Sequence, residues 1–349
     1  MPSPVQPGIW PVAVAGLAAT LIGNGLGRFA YTPLIPAVIG AGWFLPADAA
    51  YLATANLAGY LLGAAFARRG AMMVGGRALL RAAMVATSIS LIACAWPPDP
   101  VGGFLWFAFW RGLAGVTGGL LMVLAAPAVL AETPLAIRGR VGGVVFTGVG
   151  LGIAIAGTIV PALAREGLTI TWLALAGAAA LLTVYGWFLL PPDKVRAGPE
   201  GGGRLRLRLP IALLLVAYGL DAFGFVPHTV FWVDFIARGL GQGLATGGAY
   251  WIVVGAGAAV GPFLVGVIAD RIGFGPSYIL AMALKAGAVA LPLWSTSPWA
   301  LFLSSLCLGA LIAGTTSLCS GWTAERVGLA HHRQAWGWMT SAFALAQAL

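Results

Sequence analysis

The sequence predicts an all-α membrane protein built from two six-helix bundles related by a pseudo-two-fold axis, of which the second is incomplete. The first observation is composition: 60% of the 349 residues are hydrophobic, only 8% are charged, and the mean hydropathy is +0.94. A soluble protein of this length would have too few polar residues to cover its surface. The second is a series of apolar runs of membrane-spanning length, and the third is an internal repeat.

The apolar runs long enough to cross a ~30 Å hydrocarbon core predict ten full spans and the start of an eleventh. The first runs from about Trp10 into the 30s, where Pro33 and Pro36 are expected to bend it. The following spans are predicted at 49–67, 78–96, 103–130, 141–163, 168–190, 211–235, 248–268, 278–294 and 299–323, with the eleventh beginning near Ala335. The polar, Pro- and Gly-rich stretch 191–210 is typical of a linker, which divides the chain into a first bundle at 1–190 and a second at 211–349.

The repeat is clearest in the first span of each half. Residues 25–36 read GLGRFAYTPLIP and residues 219–230 read GLDAFGFVPHTV, 194 positions later. The two mismatches that carry charge are adjacent: Gly27 becomes Asp221, and Arg28 becomes Ala222. Two further pairs of segments match at shifts of 193–203: Gly63-x4-Arg68-x-Gly70 with Gly266-x4-Arg271-x-Gly273, and Glu132 and Arg140 with Glu325 and Arg333. A duplicated membrane half follows, with an axis along the membrane normal.

The net charge of +9 arises from where the basic residues lie. With the N-terminus inside, fourteen of the 19 Lys and Arg residues fall in cytoplasmic loops, two in outer loops and three within spans. This distribution follows the positive-inside rule and excludes a nucleic-acid-binding patch. We therefore expect a multi-pass membrane protein with a cytoplasmic N-terminus. Cys94, Cys307 and Cys319 lie in apolar segments and indicate no disulfide framework.

The first spans of the two halves contain the candidate functional residues Arg28, Asp221 and His228. Arg28 either binds an anionic group of a substrate or pairs with Asp221, unless it reaches the outer interface. Asp221 lies ~15 Å into the bilayer at helical rise and is the best candidate for a proton carrier, the alternative being a static ion pair between the halves. His228, two turns further on the same face, serves either as a proton relay or in helix packing.

Other polar residues are candidates for lining a central cavity. Arg111 and Lys285 are the remaining intramembrane cations. Asn56 and Tyr60 share one face of the second span and either line the cavity or join helices. Tyr31, in the repeated phrase, completes this set.

Charged residues at the cytoplasmic ends of the spans are candidates for a reversible latch, because exposed ion pairs are worth only about 0–1 kcal/mol each. The alternative is ordinary positive-inside charge. The candidate gate residues are Arg68, Glu132, Arg140, Gly266, Asp270, Arg271, Gly273, Glu325 and Arg333.

The sequence contains no catalytic motif of the G-x-S-x-G or H-E-x-x-H type and no G-x4-G-K-[ST] phosphate loop. We therefore expect neither an enzyme nor an ATP-driven pump, and no cofactor. No second ligand follows His228 at helical spacing, so no metal site is expected.

Several of these segments resemble the major facilitator superfamily. Residues 266–273, GVIADRIG, resemble its cytoplasmic-loop signature, and Arg111-x3-Gly115 resembles the motif of its fourth helix. LGRFAYTPLIP, together with YLATANLAGYLLGA at 51–64, resembles the bacterial YbfB/YjiJ-type subgroup. In the first half Ala67 replaces the aspartate of the loop motif, and the sequence ends inside the eleventh span, so we expect a truncated chain.

The resemblance implies a secondary active transporter that moves a small molecule by alternating access, as a monomer in the lipid bilayer of the bacterial inner membrane. Proton coupling through Asp221 is the favoured mechanism. The alternative is a membrane scaffold or sensor with a transporter fold and no transport.

Overall fold

A computed structural model describes residues 8–99, 102–134, 138–193 and 208–348. Within these ranges the protein is all-helical, with eleven helices and no strand, as predicted. The helices are α1 Ile9–Gly40, α2 Pro46–Val74, α3 Gly76–Ala93, α4 Gly103–Ala131, α5 Arg138–Leu163, α6 Leu168–Leu189, α7 Leu209–Gly239, α8 Gly243–Ile272, α9 Phe274–Trp294, α10 Pro298–Val327 and α11 Leu329–Ala348. The helices that are long and apolar enough to cross a membrane, among the described residues, are α1 to α10.

The helices extend beyond the apolar runs that predicted them. α2 continues past Ala67 to Val74, and α10 reaches Val327. α11 begins at Leu329, earlier than the expected start near Ala335. The helical hydrogen bonds of α2 and α10 continue past the apolar runs, whereas hydropathy detects only those runs. Most of the predicted linker, residues 194–207, lies outside the described ranges.

The first helix contains a wide-turn segment that the sequence did not predict. Between the α-helical parts Ile9–Thr20 and Tyr31–Gly40, residues Leu21–Phe29 form a π-helix, in which hydrogen bonds connect residues five apart. The Ala30 amide, for example, donates to the Gly25 carbonyl over 2.9 Å. Such segments are rare and frequently occur at functional sites.

Both halves pack their helices through matched glycines. In the first half, α2 and α4 touch where Gly59 and Gly63 meet the α4 backbone, and in the second half Gly257 and Gly261 of α8 meet the α10 backbone. These pairs of glycines are 198 positions apart. The equivalent contacts support the predicted relation between the halves, since small residues allow such close approach.

The same shift corrects the predicted loop repeat. Gly75 ends α2 with φ 88°, and Gly273 ends α8 with φ 85°, so each occupies the left-handed region that favours glycine. Gly273 therefore corresponds to Gly75. The predicted match with Gly70 is wrong, because Gly70 lies inside α2, which continues to Val74.

We call the side on which α1 begins the arginine-rich side, and the opposite one the arginine-poor side. The two halves contact each other toward the arginine-poor side. The Thr32 hydroxyl of α1 donates to the Thr229 carbonyl of α7 over 2.9 Å, and the rings of Phe29 and Trp251 lie 6.2 Å apart. These residues lie in the second part of α1 and α7 and the first part of α8, so the halves are closed against each other at that end.

The largest contact between the halves is that of α5 against α8, where backbone approaches backbone midway along the two helices and the side chains of Pro161 and Ile252 pack between them further on. A Cβ atom added to Gly150 would lie 2.6 Å from the Ala259 nitrogen, and one added to Gly255 would lie 2.5 Å from the Ala154 nitrogen. Glycine is therefore required at these positions for the present spacing of the two helices. We call these four residues the glycine seam.

Candidate functional site

A small cavity lies between the two halves. It has about 20 Å³ of space, enough for a single water molecule. Helices α1, α2 and α4 of the first half and α7 of the second form its walls. The lining residues are Arg28, Phe29, Tyr31, Thr32, Ile35, Ala53, Asn56, Leu57, Arg111, Thr229 and Val230. They include two cations, and no acidic residue is among the described residues that line the cavity.

The π-helical segment of α1 supplies the point at which three helices of the first half converge. The carbonyl of Gly27 accepts a hydrogen bond from Arg111 Nη1 of α4 over 2.9 Å and another from Asn56 Nδ2 of α2 over 3.3 Å. Asn56 Nδ2 also donates to the Arg111 carbonyl over 2.9 Å. Because these groups are buried, the network fixes α1, α2 and α4 relative to one another. Asn56 thus lines the cavity and joins helices at the same time.

Arg111 is almost completely buried, with 2% of its surface exposed. Its guanidinium carbon lies 4.3 Å from the centre of the Tyr31 ring, an arrangement in which the ring face stabilises the positive charge. Its Nε atom is buried and has no hydrogen-bond partner. The groups that hold this guanidinium, a carbonyl and an aromatic ring, are all neutral.

Arg28 is also held by neutral groups. Its Nη1 donates to Gln347 Oε1 of α11 over 3.2 Å. Its guanidinium carbon lies 5.0 Å from the Phe29 ring centre and 5.3 Å from that of Tyr60. Tyr60 therefore reaches the site through Arg28 and is not itself one of the cavity-lining residues.

The predicted pairing of Arg28 with Asp221 is wrong, because Asp221 pairs with Lys285. The Lys285 Nζ of α9 lies 2.9 Å from Asp221 Oδ2 of α7 and donates to Thr315 Oγ1 of α10 over 3.0 Å. The two side chains are only 3% and 4% exposed. The ion pair therefore lies inside the second half and does not connect the halves, and neither residue lines the cavity.

His228 lies in a separate cluster of the second half. Its Nε2 is 3.3 Å from the Ser304 hydroxyl, and its ring stacks on Trp232 with 4.1 Å between the ring centres. The Ser304 hydroxyl donates to the Ala288 carbonyl over 2.7 Å. These contacts are those of a packing residue, and the relay role of His228 stays a prediction.

The candidate gate residues lie at the arginine-rich ends of their helices. Asp270 and Arg271 are in the last turn of α8, after Gly266, and Glu325 is in the last turn of α10; all three charged side chains are exposed. Arg68 is in the last two turns of α2, and Glu132 follows the end of α4. The side chains of Arg140 and Arg333 lie outside the described residues, so the latch stays a prediction.

Sequence reasoning missed Thr315, Gln347 and the Gly27 carbonyl. A threonine or glycine in an apolar run carries no signal beyond helix packing, and the partner of a buried charge depends on which helices are adjacent. Lys285 was recognised as an intramembrane cation, but its sequence separation of 64 residues from Asp221 concealed the pair.

Comparison with known proteins agrees with this architecture. A family profile described as "Uncharacterised MFS-type transporter YbfB" matches residues 20–349. A comparison with curated proteins gives no significant match.

Solved structures with the same fold include a crystal structure of a D-xylose-proton symporter, with a TM-score of 0.76 at 20% identity, covering 97% of this chain and 88% of that one. The inward-open xylose transporter XylE from E. coli gives a TM-score of 0.75 at 17% identity, covering 98% and 88%. A partially occluded inward-open form of XylE gives 0.69 at 18% identity, covering 97% and 92%. The family match and the fold together place this multi-pass membrane chain in the YbfB-type family of major facilitator superfamily transporters.

Proposed function

We propose that the protein is a secondary active transporter that carries a small molecule across the bacterial inner membrane by alternating access. The observation that carries this proposal is the cavity between the halves, with the partly buried Arg28 and the buried Arg111 in its wall. Intramembrane ionisable residues are costly and mark substrate or ion pathways. Binding sites of this class of transporter lie where the two repeats meet.

The arrangement of the halves supports a gating scheme. The positive-inside rule assigns the arginine-rich side to the cytoplasm and the N-terminus with it. The halves touch on the other side, at Thr32 with Thr229, while the glycine seam lies midway along α5 and α8. Transport requires this contact to open and the cytoplasmic ends, with Asp270 and Arg271, to close in exchange. The seam suits such a movement because backbone meets backbone there.

Proton coupling is assigned to the Asp221–Lys285 pair. Protonation of Asp221 removes the carboxylate charge that Lys285 faces at 2.9 Å, which leaves the ammonium group with Thr315 and the Phe225 ring. A lone buried charge is unfavourable, so the contact between α7, α9 and α10 has to rearrange. Proton uptake is thereby linked to movement of α7, α9 and α10. Of these helices, α7 forms part of the cavity wall.

The proposal is tested in proteoliposomes with an imposed pH gradient. The full chain should accumulate at least one solute of a panel of sugars, carboxylic acids, amino acids and their amides. Asp221→Asn should retain downhill exchange and lose accumulation, and the double variant Asp221→Asn/Lys285→Gln should do the same if the single variant fails to fold. Gly177→Ala is the control, because a Cβ there meets nothing within 4 Å.

Gradient-driven accumulation by both the single and the double variants would remove Asp221 from the coupling role. If the full chain moves no solute of the panel, the transport proposal fails and a scaffold or sensor with a transporter fold takes its place.

A further inference from the structure

We infer that the substrate is a small organic anion whose carboxylate binds between Arg28 and Arg111. This inference rests on the proposed transport function. It begins with the charges around the cavity: two guanidinium groups line it, and no carboxylate does among the described residues. The groups that contact the guanidiniums are a side-chain amide, a backbone carbonyl and aromatic rings.

Lys285, the third intramembrane cation, has a counter-charge, unlike the two arginines that line the cavity. Lys285 is as buried as Arg111 but faces Asp221, so its charge is compensated within the protein. A buried charge without a counter-charge costs far more than a paired one. The chain thus neutralises the cation that lies away from the cavity and leaves uncompensated the two that line it. An anionic ligand in the cavity would supply the counter-charge that Arg28 and Arg111 lack.

The chemistry of the side chains favours a carboxylate. A guanidinium presents its N–H groups in a planar fork that matches the two oxygens of a carboxylate. Arg111 keeps one such donor, the buried Nε, without a partner. Arg28 donates to a neutral glutamine oxygen at 3.2 Å, a contact that a carboxylate can replace with a stronger one.

The rest of the wall indicates an apolar body attached to the anionic group. Ile35, Ala53, Leu57 and Val230 surround the arginines together with aromatic rings. The present space of about 20 Å³ admits only a water molecule, so the ligand enters when the halves separate. A small carboxylic acid with a hydrocarbon or aromatic body has both required parts.

The experiment compares each carboxylate with its own neutral amide. The full chain in proteoliposomes is given lactate, butyrate, benzoate and glutarate, and in parallel lactamide, butyramide, benzamide and glutaramide, with D-xylose as a neutral sugar. We expect at least one carboxylate to be exchanged, and to compete at least about tenfold better than its amide, because hydrogen bonds to charged groups are the stronger ones. The monocarboxylates and glutarate distinguish one anionic group from two.

Variants assign the preference to the arginines. Arg28→Gln should remove the preference for carboxylate over amide, and Arg28→Lys should retain part of it because the charge remains. Arg28 is chosen since Arg111 also holds the Gly27 carbonyl and its loss endangers the fold. Gly177→Ala should behave as the unmodified chain.

Exchange of amides or D-xylose without any preference for a carboxylate overturns the inference and leaves the transport proposal standing. Preference for a carboxylate that survives unchanged in Arg28→Gln also overturns the assignment of the site. Absence of movement for every solute overturns both the inference and the proposed function.

Discussion

The buried pair of Asp221 and Lys285 permits a quantitative test of the second half. In Asp221→Asn the ammonium group of Lys285 keeps only the Thr315 hydroxyl at 3.0 Å and the Phe225 ring at 4.2 Å. Removing one partner of a buried pair costs about 3–5 kcal/mol of unfolding free energy, because an uncompensated charge stays buried. In Lys285→Gln the carboxylate keeps the Thr315 hydroxyl at 3.4 Å, and we expect a loss of similar size.

The double variant Asp221→Asn/Lys285→Gln removes both charges and leaves two amides that can bond to each other. Its loss of stability should be smaller than that of either single variant. The coupling free energy between the two positions should therefore be about 3 kcal/mol or more in favour of the pair. The measurement is unfolding of the purified chain by SDS in mixed micelles for the four proteins of the cycle.

The chain supplies a matched control in Asp234 and Arg238, which form a pair one helical turn apart with side chains 16% and 38% exposed. The same cycle there, with Asp234→Asn and Arg238→Gln, should give a coupling of about 0.3–0.5 kcal/mol, as for exposed helical pairs. The reasoning is refuted if the coupling of the buried pair does not exceed that of the exposed one.

Three further outcomes are expected. Gly255→Val should force the glycine seam apart. A cysteine placed in the cavity should then be labelled more by a thiol reagent added on the arginine-poor side. Labelling equal to that of Gly177→Val would contradict the role of the seam. Asn56→Ala removes both amide hydrogen bonds to buried carbonyls and should lower the unfolding free energy by about 1–3 kcal/mol, so that a loss below about 0.5 kcal/mol in the SDS titration would argue against the network. Asp270→Ala should raise labelling of the same cavity cysteine from the arginine-rich side, and unchanged labelling would count against a latch there.

The sequence predicted the helices well because membrane spans are determined by length and hydropathy, which are local properties. The sequence also identified the intramembrane charges, since each is an isolated polar residue in an apolar run. The partner of Asp221 was mispredicted because the repeat placed Arg28 at the adjacent equivalent position, whereas the actual partner depends on how α9 lies beside α7. Pairing across helices is a tertiary property that a repeat does not encode.

Two backbone features escaped the sequence for another reason. The residues of Leu21–Phe29 are equally compatible with an α-helix and a π-helix, so only the structure distinguishes the two kinds of helix. The loop repeat was aligned by matching arginine and glycine residues, which paired Gly70 with Gly273. The backbone instead requires glycine at Gly75, where φ is positive. In both cases the deciding quantity is a dihedral angle or a hydrogen-bond register rather than side-chain polarity.

The glycine seam has a kinetic consequence. At Gly150 and Gly255 the nearest atoms of the facing helix are backbone atoms. Helices that interlock through large side chains have to change several rotamers before one can turn past the other, and each such change adds to the activation enthalpy. That contribution is small at Gly150 and Gly255, where backbone faces backbone, and comes instead from Pro161 and Ile252 further along the same contact. Under the proposed alternating access, Gly255→Val should therefore make the temperature dependence of transport steeper than that of the unmodified chain when transport is followed over a range of temperatures.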